Sequence, residues 1–152
     1  MKSALYLAMV SASLFAGPQV YQQLVYEIRN PETTSADFRH ALEKIGENLA
    51  YEILEELGTK EVAVETLTGA EATHCLVDEI PVLVTILRAG IPLNHGVQKV
   101  FPDSEVGFIA MARNEKTLIA DVSYVALPEI TDKVVIIADT MLATGGSFAG
   151  GD

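Results

Sequence analysis

Lys133-Val-Val-Ile-Ile-Ala-Asp139-Thr-Met-Leu-Ala-Thr-Gly-Gly-Ser147 is the stretch whose reading decides the fold of this chain. Val134 to Ala138 form a short, unbroken apolar run rich in β-branched residues. Such a run reads as a strand buried on both faces, the kind found in parallel sheets. Asp139 then places a carboxylate where the strand should end. Thr144-Gly145-Gly146-Ser147 sets two positions without Cβ between two hydroxyls. Small residues let the main chain approach a ligand closely, and successive N–H groups opening a helix form an anion site. The parts together describe a phosphate cradle with a carboxylate beside it for sugar hydroxyls. Taken alone, Gly-Gly-Ser also fits an ordinary capped strand-to-helix turn. It is not a Walker A loop, because no Lys follows the glycines.

Two more stretches share this grammar. Pro81-Val-Leu-Val-Thr-Ile-Leu87 is a second continuous apolar run and ends at Arg88-Ala89-Gly90. Val106-Gly-Phe-Ile-Ala-Met-Ala112 is a third and ends at Arg113-Asn114-Glu115-Lys116. Between them a helix is expected from about Pro92, suited to a first helical position, to Phe101. Upstream, Asn30-Pro31 marks a turn and Ser35 is a good N-cap. Phe38, Leu42, Ile45, Leu49, Ile53, Leu54 and Leu57 then recur at helical spacing, which predicts a long amphipathic helix ending at Gly58. Glu61 to Leu67 alternates as a half-buried strand, and residues 68–72 read as a loop or helix start. Thr117 to Leu127 reads as extended chain lying outside the sheet, closed by Pro128. Apolar strands alternating with helices predict an α/β fold, doubly wound around a mainly parallel sheet.

Composition narrows the function. The chain has 152 residues, enough for one domain with a sizeable core. Its 49% hydrophobic and 20% charged residues argue against disorder. A formal charge of −11 disfavours a nucleic-acid or anionic-membrane surface, which needs a basic patch. An anionic ligand must therefore be held by a few placed cations. The single cysteine, Cys75, excludes an internal disulfide and fits a reducing compartment. No acid or His pattern beyond His74 accompanies it, so it reads as a buried or inert thiol. Lys2 and the small, apolar residues up to Gly17 loosely imitate a secretory signal. Residues 1–17 fit better an N-terminal helix or arm packed on residues 18–152, or on a second subunit. The run is too short and too rich in Ser and Ala for a membrane span.

In an open α/β sheet the ligand sits at the carboxyl ends of the strands. If the three apolar runs are parallel, Arg88, Arg113 and Asp139 converge on one rim. Two guanidiniums facing a phosphate cradle suit a ligand with phosphates at both ends, since Arg makes bidentate contacts and stays charged. Each Arg also has the plainer reading of a surface ion-pair partner. His95 reads as a surface or capping residue. There is no His or Cys cluster at zinc spacing.

Asp139-Thr-Met-Leu-Ala-Thr-Gly-Gly-Ser147 resembles the phosphoribosyl-diphosphate (PRPP) loop of uracil phosphoribosyltransferases, members of the type I phosphoribosyltransferases. Ile86-Leu-Arg-Ala-Gly90 is similar to that family's diphosphate-binding segment. Residues 106–118, with Tyr124 and Leu127-Pro128, resemble its strand and flexible loop. The similarity spans about residues 22–148. It implies that Arg88 and Arg113 hold the diphosphate of PRPP, with Arg113 and Asp139 as the catalytic pair. It implies that Asp139 binds the ribose hydroxyls. It implies that Thr140 also binds PRPP and that main-chain groups of Met141, Leu142, Ala143, Thr144, Gly145 and Gly146, with the Thr144 and Ser147 hydroxyls, cradle the 5′-phosphate. It further implies Mg²⁺ carried with PRPP, uracil as second substrate, UMP and diphosphate as products, a cytoplasmic pyrimidine-salvage enzyme and a homo-oligomer.

The family pattern continues beyond the PRPP loop through a helix, further strands and a Gly- and Asp-rich segment that binds uracil. Those features have no counterpart in residues 148–152, so the fold is expected to be incomplete on its C-terminal side. Two readings follow. One is a uracil phosphoribosyltransferase. The other is a non-catalytic remnant that binds PRPP or a nucleotide, or only pairs with other subunits. Base specificity is not written in these residues, since the base-reading segment is the missing one.

Overall fold

The apolar run after Lys133 is an interior strand, and the sheet is built outward from it. The computed structural model describes residues 5–9, 19–113 and 120–140. In chain order the elements are β1 (Leu5–Met9), α1 (Gln19–Arg29), α2 (Ser35–Glu56), β2 (Thr59–Glu65), β3 (Glu71–Val77), β4 (Val82–Leu87), α3 (Ile91–Val100), β5 (Val106–Arg113), β6 (Ala120–Ala126) and β7 (Val135–Asp139). The main sheet runs β1-β7-β4-β5-β6, and β2 and β3 form a separate two-stranded sheet. β1, β7, β4 and β5 are parallel, while β6 returns antiparallel to β5. The fold is α/β with a mainly parallel sheet, as expected.

Leu83, Thr85, Ile136 and Ala138 lie level in pairs on β4 and β7, so they share one face. Leu83, Ile136 and Ala138 pack there with Ala41, Ile45, Leu93, Val97 and Phe101. Each of these is at most 5% exposed. The helices over this face sit unusually close, and two glycines are the reason. A Cβ on Gly46 of α2 would strike the Leu93 carbonyl oxygen of α3. A Cβ on Gly96 of α3 would strike the Glu43 carbonyl oxygen of α2 and lie 2.6 Å from the Glu47 nitrogen. Ala41 and Ala50, both fully buried, continue the same small-residue side of α2. Phe38, expected in the core, is instead 39% exposed. The buried stripe of α2 is thus narrower and smaller than its large apolar residues suggest.

Beside the glycine contact, Lys99 Nζ lies 2.6 Å from Glu43 Oε1 and 3.8 Å from Glu47 Oε2. The hydrogen bond from Lys99 lowers the Glu43 carboxyl below its ordinary value. A depressed carboxylate stabilises the fold above its unfolded-state pKa and loses that contribution as pH falls through the folded value. Lys99→Met should therefore cost a little stability at neutral pH, and its urea-unfolding midpoint should converge with wild type on the acid side. A gap that widened toward acid would contradict this assignment. Because Lys99 is exposed and Glu43 only partly buried, the effect is expected to be small.

Three expectations change and one narrows. Residues 5–9, expected within a helix or arm, form a strand paired to β7. Of the loop or helix start expected at residues 68–72, the loop holds: they are the turn and opening of a hairpin. Thr66 N–H donates to the Ala70 carbonyl at 2.8 Å, and Gly69 takes φ +77°, a left-handed conformation that glycine adopts without a Cβ penalty. β2 is not half-buried, because only β3 flanks it and almost all its residues are exposed. β3 escaped notice for the same reason: with no covered face, nothing imposes a period of two. Finally, residues 120–126 are not outside the main sheet. They pair along β5 through an irregularity at Ala110/Met111, where Ser123 Oγ donates to the Ala110 carbonyl at 3.1 Å.

The cap of α2 moves by one residue. Thr34, not Ser35, is the N-cap: its Oγ1 accepts from Asp37 N–H at 3.2 Å and donates to Asp37 Oδ2 at 2.7 Å. The helix closes at Glu56, two residues before Gly58. α1 is held on α2 partly by Tyr21, whose hydroxyl donates to Glu52 Oε1 at 2.7 Å. Burial, with the adjacent carboxylate, pushes this phenol well above its ordinary value.

Candidate functional site

The strand order itself marks where a ligand should lie. From β4 the chain crosses through α3 to β5 and then β6 on one side. It then returns to β7 on the other side of β4. The direction of winding thus reverses between β4 and β7. A crevice opens at the carboxyl ends of two strands flanking such a reversal. Arg88 follows β4 and Asp139 ends β7, so the topology brings these two residues to that point.

The register makes the juxtaposition closer. Thr85 is level with Ala138, so Ile86 continues level with Asp139 and the Leu87–Arg88 step with Thr140. The Leu87–Arg88 peptide is cis. The chain then turns back on itself: Gly90 N–H donates to the Ile86 carbonyl at 3.0 Å, and Ile91 N–H to the Arg88 carbonyl at 3.3 Å. This turn lies against the end of β7. A Cβ built on Gly90 would strike the Ala138 carbonyl oxygen and lie 2.9 Å from the Ile86 oxygen. Gly90 has φ −70° and ψ −11°, which any residue can adopt. Its glycine is required by space alone.

That requirement is testable. Gly90→Ala should move the Arg88 turn off β7 and lower any ligand affinity at this rim by about tenfold or more. Titration of PRPP with Mg²⁺ by calorimetry reads the effect. Wild-type affinity in Gly90→Ala would show that the close approach does not matter to binding.

Arg88 is exposed and has no ion-pair partner among the described residues. Its guanidinium is therefore not committed to the surface ion pair that was the plainer reading. Asp139 is 6% exposed. Its Oδ1 accepts the Thr140 N–H at 2.8 Å, which fixes the carboxylate at the strand tip. Arg113 ends β5 three residues past Ala110, which is level with Leu87. At ~3.3 Å per residue its main chain stands ~10 Å beyond the β4 tip. There it pairs with Ala120 at the far end of the β5–β6 hairpin. Met141, Leu142, Ala143, Thr144, Gly145, Gly146 and Ser147 lie outside the described residues. The structure therefore brings Arg88, Asp139 and Thr140 together and sets Arg113 on an arm above them.

His95 is exposed on α3, as read. Cys75 is exposed on β3 rather than buried, since neither face of that hairpin is covered. Among the described residues there is no group of three or more His, Cys, Asp or Glu placed to hold a metal. No helix among them is long and apolar enough to cross a membrane. What the sequence did not reveal was the packing role of Gly90, because a glycine required by space looks like one required by conformation.

The family model for uracil phosphoribosyltransferase matches residues 17–150. The chain belongs to the uracil phosphoribosyltransferase family. It is 40% identical to the uracil phosphoribosyltransferase of Aquifex aeolicus over 120 residues, which are 79% of this chain and 58% of that one. It is 41% identical to the one from Methanothermobacter thermautotrophicus over 117 residues, 76% of this chain and 54% of that one. Over 93% of its length it also superposes on the solved structure of the AQ2163 protein from Aquifex aeolicus. The TM-score there is 0.79 and the identity 34%, with 66% of that chain covered. The family's type I phosphoribosyltransferase-like fold is thus the fold of this chain. The chain spans less than two thirds of the length of the first two of these relatives. Nothing in these comparisons favours the non-catalytic reading.

Proposed function

We propose that this chain carries the PRPP-binding side of a uracil phosphoribosyltransferase, which converts uracil and PRPP to UMP and diphosphate in pyrimidine salvage. One observation carries the reading: the winding reversal between β4 and β7 sets the unpaired Arg88 beside the buried Asp139 carboxylate. A cation for diphosphate and an anion for the ribose are what PRPP requires. The names and matched lengths of the relatives support the same assignment.

In this reading Arg88 and Arg113 bind the diphosphate, and main-chain groups of residues 141–146, with the Thr144 and Ser147 hydroxyls, cradle the 5′-phosphate. Asp139 accepts hydrogen bonds from the ribose hydroxyls. Breaking the bond from the anomeric carbon to diphosphate builds positive charge on the sugar ring, as in glycosyl transfer generally. A buried carboxylate held by Thr140 N–H stabilises that charge and orients the ring without having to reorganise. No covalent nucleophile is needed.

Mg²⁺ fits this donor set in one way. It prefers one or two carboxylates, several waters and substrate phosphates to a dedicated protein cage. Asp139 supplies one carboxylate at the rim, so the metal would come with PRPP and supply positive charge to the departing diphosphate. A cytoplasmic location suits a salvage enzyme with one exposed, unpaired cysteine. Self-association belongs to the same reading. It is supported by apolar side chains left in solvent on or near β2 and β3, including Val64, Leu67, Leu76 and Ile80.

The deciding experiment mixes the purified chain with labelled uracil, PRPP and Mg²⁺. UMP formation above background is the expected result. PRPP should also raise the melting temperature, because a ligand that binds only the folded state stabilises it. The absence of both would sink the proposal.

A further inference from the structure

β1 precedes the family-matched residues 17–150, yet it is hydrogen-bonded into the sheet directly against the strand that carries Asp139. Its register is fixed: Leu7 is level with Ile137, Ala8 with Ala138 and Met9 with Asp139. The direction in which each β7 residue turns its main-chain groups follows from one bond. Val82 N–H donates to the Val134 carbonyl at 2.9 Å, and Val82 is level with Val135. Along a parallel ladder, successive residues address alternate neighbours. Val134, Ile136 and Ala138 therefore face β4, and Val135, Ile137 and Asp139 face β1.

On β1 the matching groups belong to Tyr6 and Ala8. Ala8 N–H meets the Ile137 carbonyl, and the Ala8 carbonyl meets Asp139 N–H. Leu5, Leu7 and Met9 turn their main-chain groups to the outer edge. Without β1, the amides of Ile137 and Asp139 would have no ladder partner, while β4 would still hold Ile136 and Ala138.

We propose that β1 is a positioning strand for the site, in which the main chain of Ala8 holds Ile137 and Asp139 and so fixes the Asp139 carboxylate against the Arg88 turn. The consequence for ligand binding rests on the PRPP reading above. The placement of β7 does not.

Two proline variants separate the possibilities. Ala8→Pro removes the N–H that meets the Ile137 carbonyl and sets the proline ring against β7, which lifts β1 away and so parts the Ile137 and Asp139 amides from the Tyr6 and Ala8 carbonyls. Leu7→Pro removes an N–H directed outward, which an edge strand tolerates. Amide exchange followed by NMR should show Ile137 and Asp139 losing protection in Ala8→Pro, with Ile136 and Ala138 still protected. Leu7→Pro should match wild type. PRPP affinity, measured with Mg²⁺ by calorimetry, should fall about tenfold in Ala8→Pro alone.

Should Ala8→Pro fail to fold, the wild-type protein still decides, since strong protection of the Ile137 and Asp139 amides requires β1 to be in place. Fast exchange at both in wild type, or unchanged exchange in a folded Ala8→Pro, would overturn the proposal. So would unchanged PRPP affinity in a variant whose exchange has risen. If wild type protects the Ile137 and Asp139 amides but does not bind PRPP, the ligand assignment fails and the placement of β7 by β1 stands.

Discussion

Asp139→Asn is expected to lower kcat/KM for UMP formation by about a hundredfold or more, the scale on which a preorganised charge at a reacting centre acts. The substitution keeps shape and burial. The amide oxygen can still accept the Thr140 N–H that Oδ1 accepts at 2.8 Å, so the strand tip should stay in place. What disappears is a negative charge at a position only 6% exposed, where solvent cannot replace it. A melting temperature close to wild type, with catalysis lost, is the expected pair of results. Near-normal turnover would remove Asp139 from the chemistry and with it the observation on which the functional reading stands. Equal loss of stability and activity would instead make Asp139 a structural residue.

Gly96→Ala is expected to destabilise the fold by about 2–3 kcal/mol, the upper range for overpacking a close contact. At roughly 2–4 °C per kcal/mol for a chain of this size, the melting temperature should drop by about 4–12 °C. Alanine favours a helix over glycine by up to about 1 kcal/mol, which works against this loss. Space decides the sign. The added methyl would meet the Glu43 carbonyl oxygen and, at 2.6 Å, the Glu47 nitrogen, both backbone atoms inside α2. Neither can rotate away, so the two helices must separate along their whole contact. Gly58→Ala is the control, because a Cβ there meets nothing within 4 Å. That variant should be neutral or slightly stabilised. Equal stability of the two variants would show that α2 and α3 can move apart freely.

The parts of this architecture that could be read from residues are those in which burial imposes a pattern. β4 is buried on both faces, β7 is buried on one and half-buried on the other, and both lie inside the sheet, so Pro81 to Leu87 and Val134 to Ala138 read as continuous apolar runs. Their polar termini, Arg88 and Asp139, stood out against those runs, and the structure places both at one rim. β2 and β3 have no covered face, and their sequences carry no period. β1 was hidden differently. A five-residue strand at a sheet edge is selected by the neighbour that receives it, and nothing local distinguishes residues 5–9 from a helix or arm. Arg113 was placed at the end of the right strand. That its strand overshoots β4 depends on pairing with β6, where Arg113 meets Ala120 seven residues further along.

The β2–β3 hairpin carries a consequence for how the molecule comes apart. Its base is tied by Asp78 N–H to the Gly58 carbonyl at 2.8 Å and by Lys60 Nζ to Asp78 Oδ1 at 3.3 Å. Beyond that base, its fourteen strand residues are bonded to one another. A lone two-stranded ribbon is only marginally stable in water. It should therefore open and close as a unit of its own, many times for each global unfolding event, while α2 and β4 stay docked. Seen this way the molecule has two melting units of very different depth. The shallow one is spliced between the helix that builds the core and the strand that ends at Arg88.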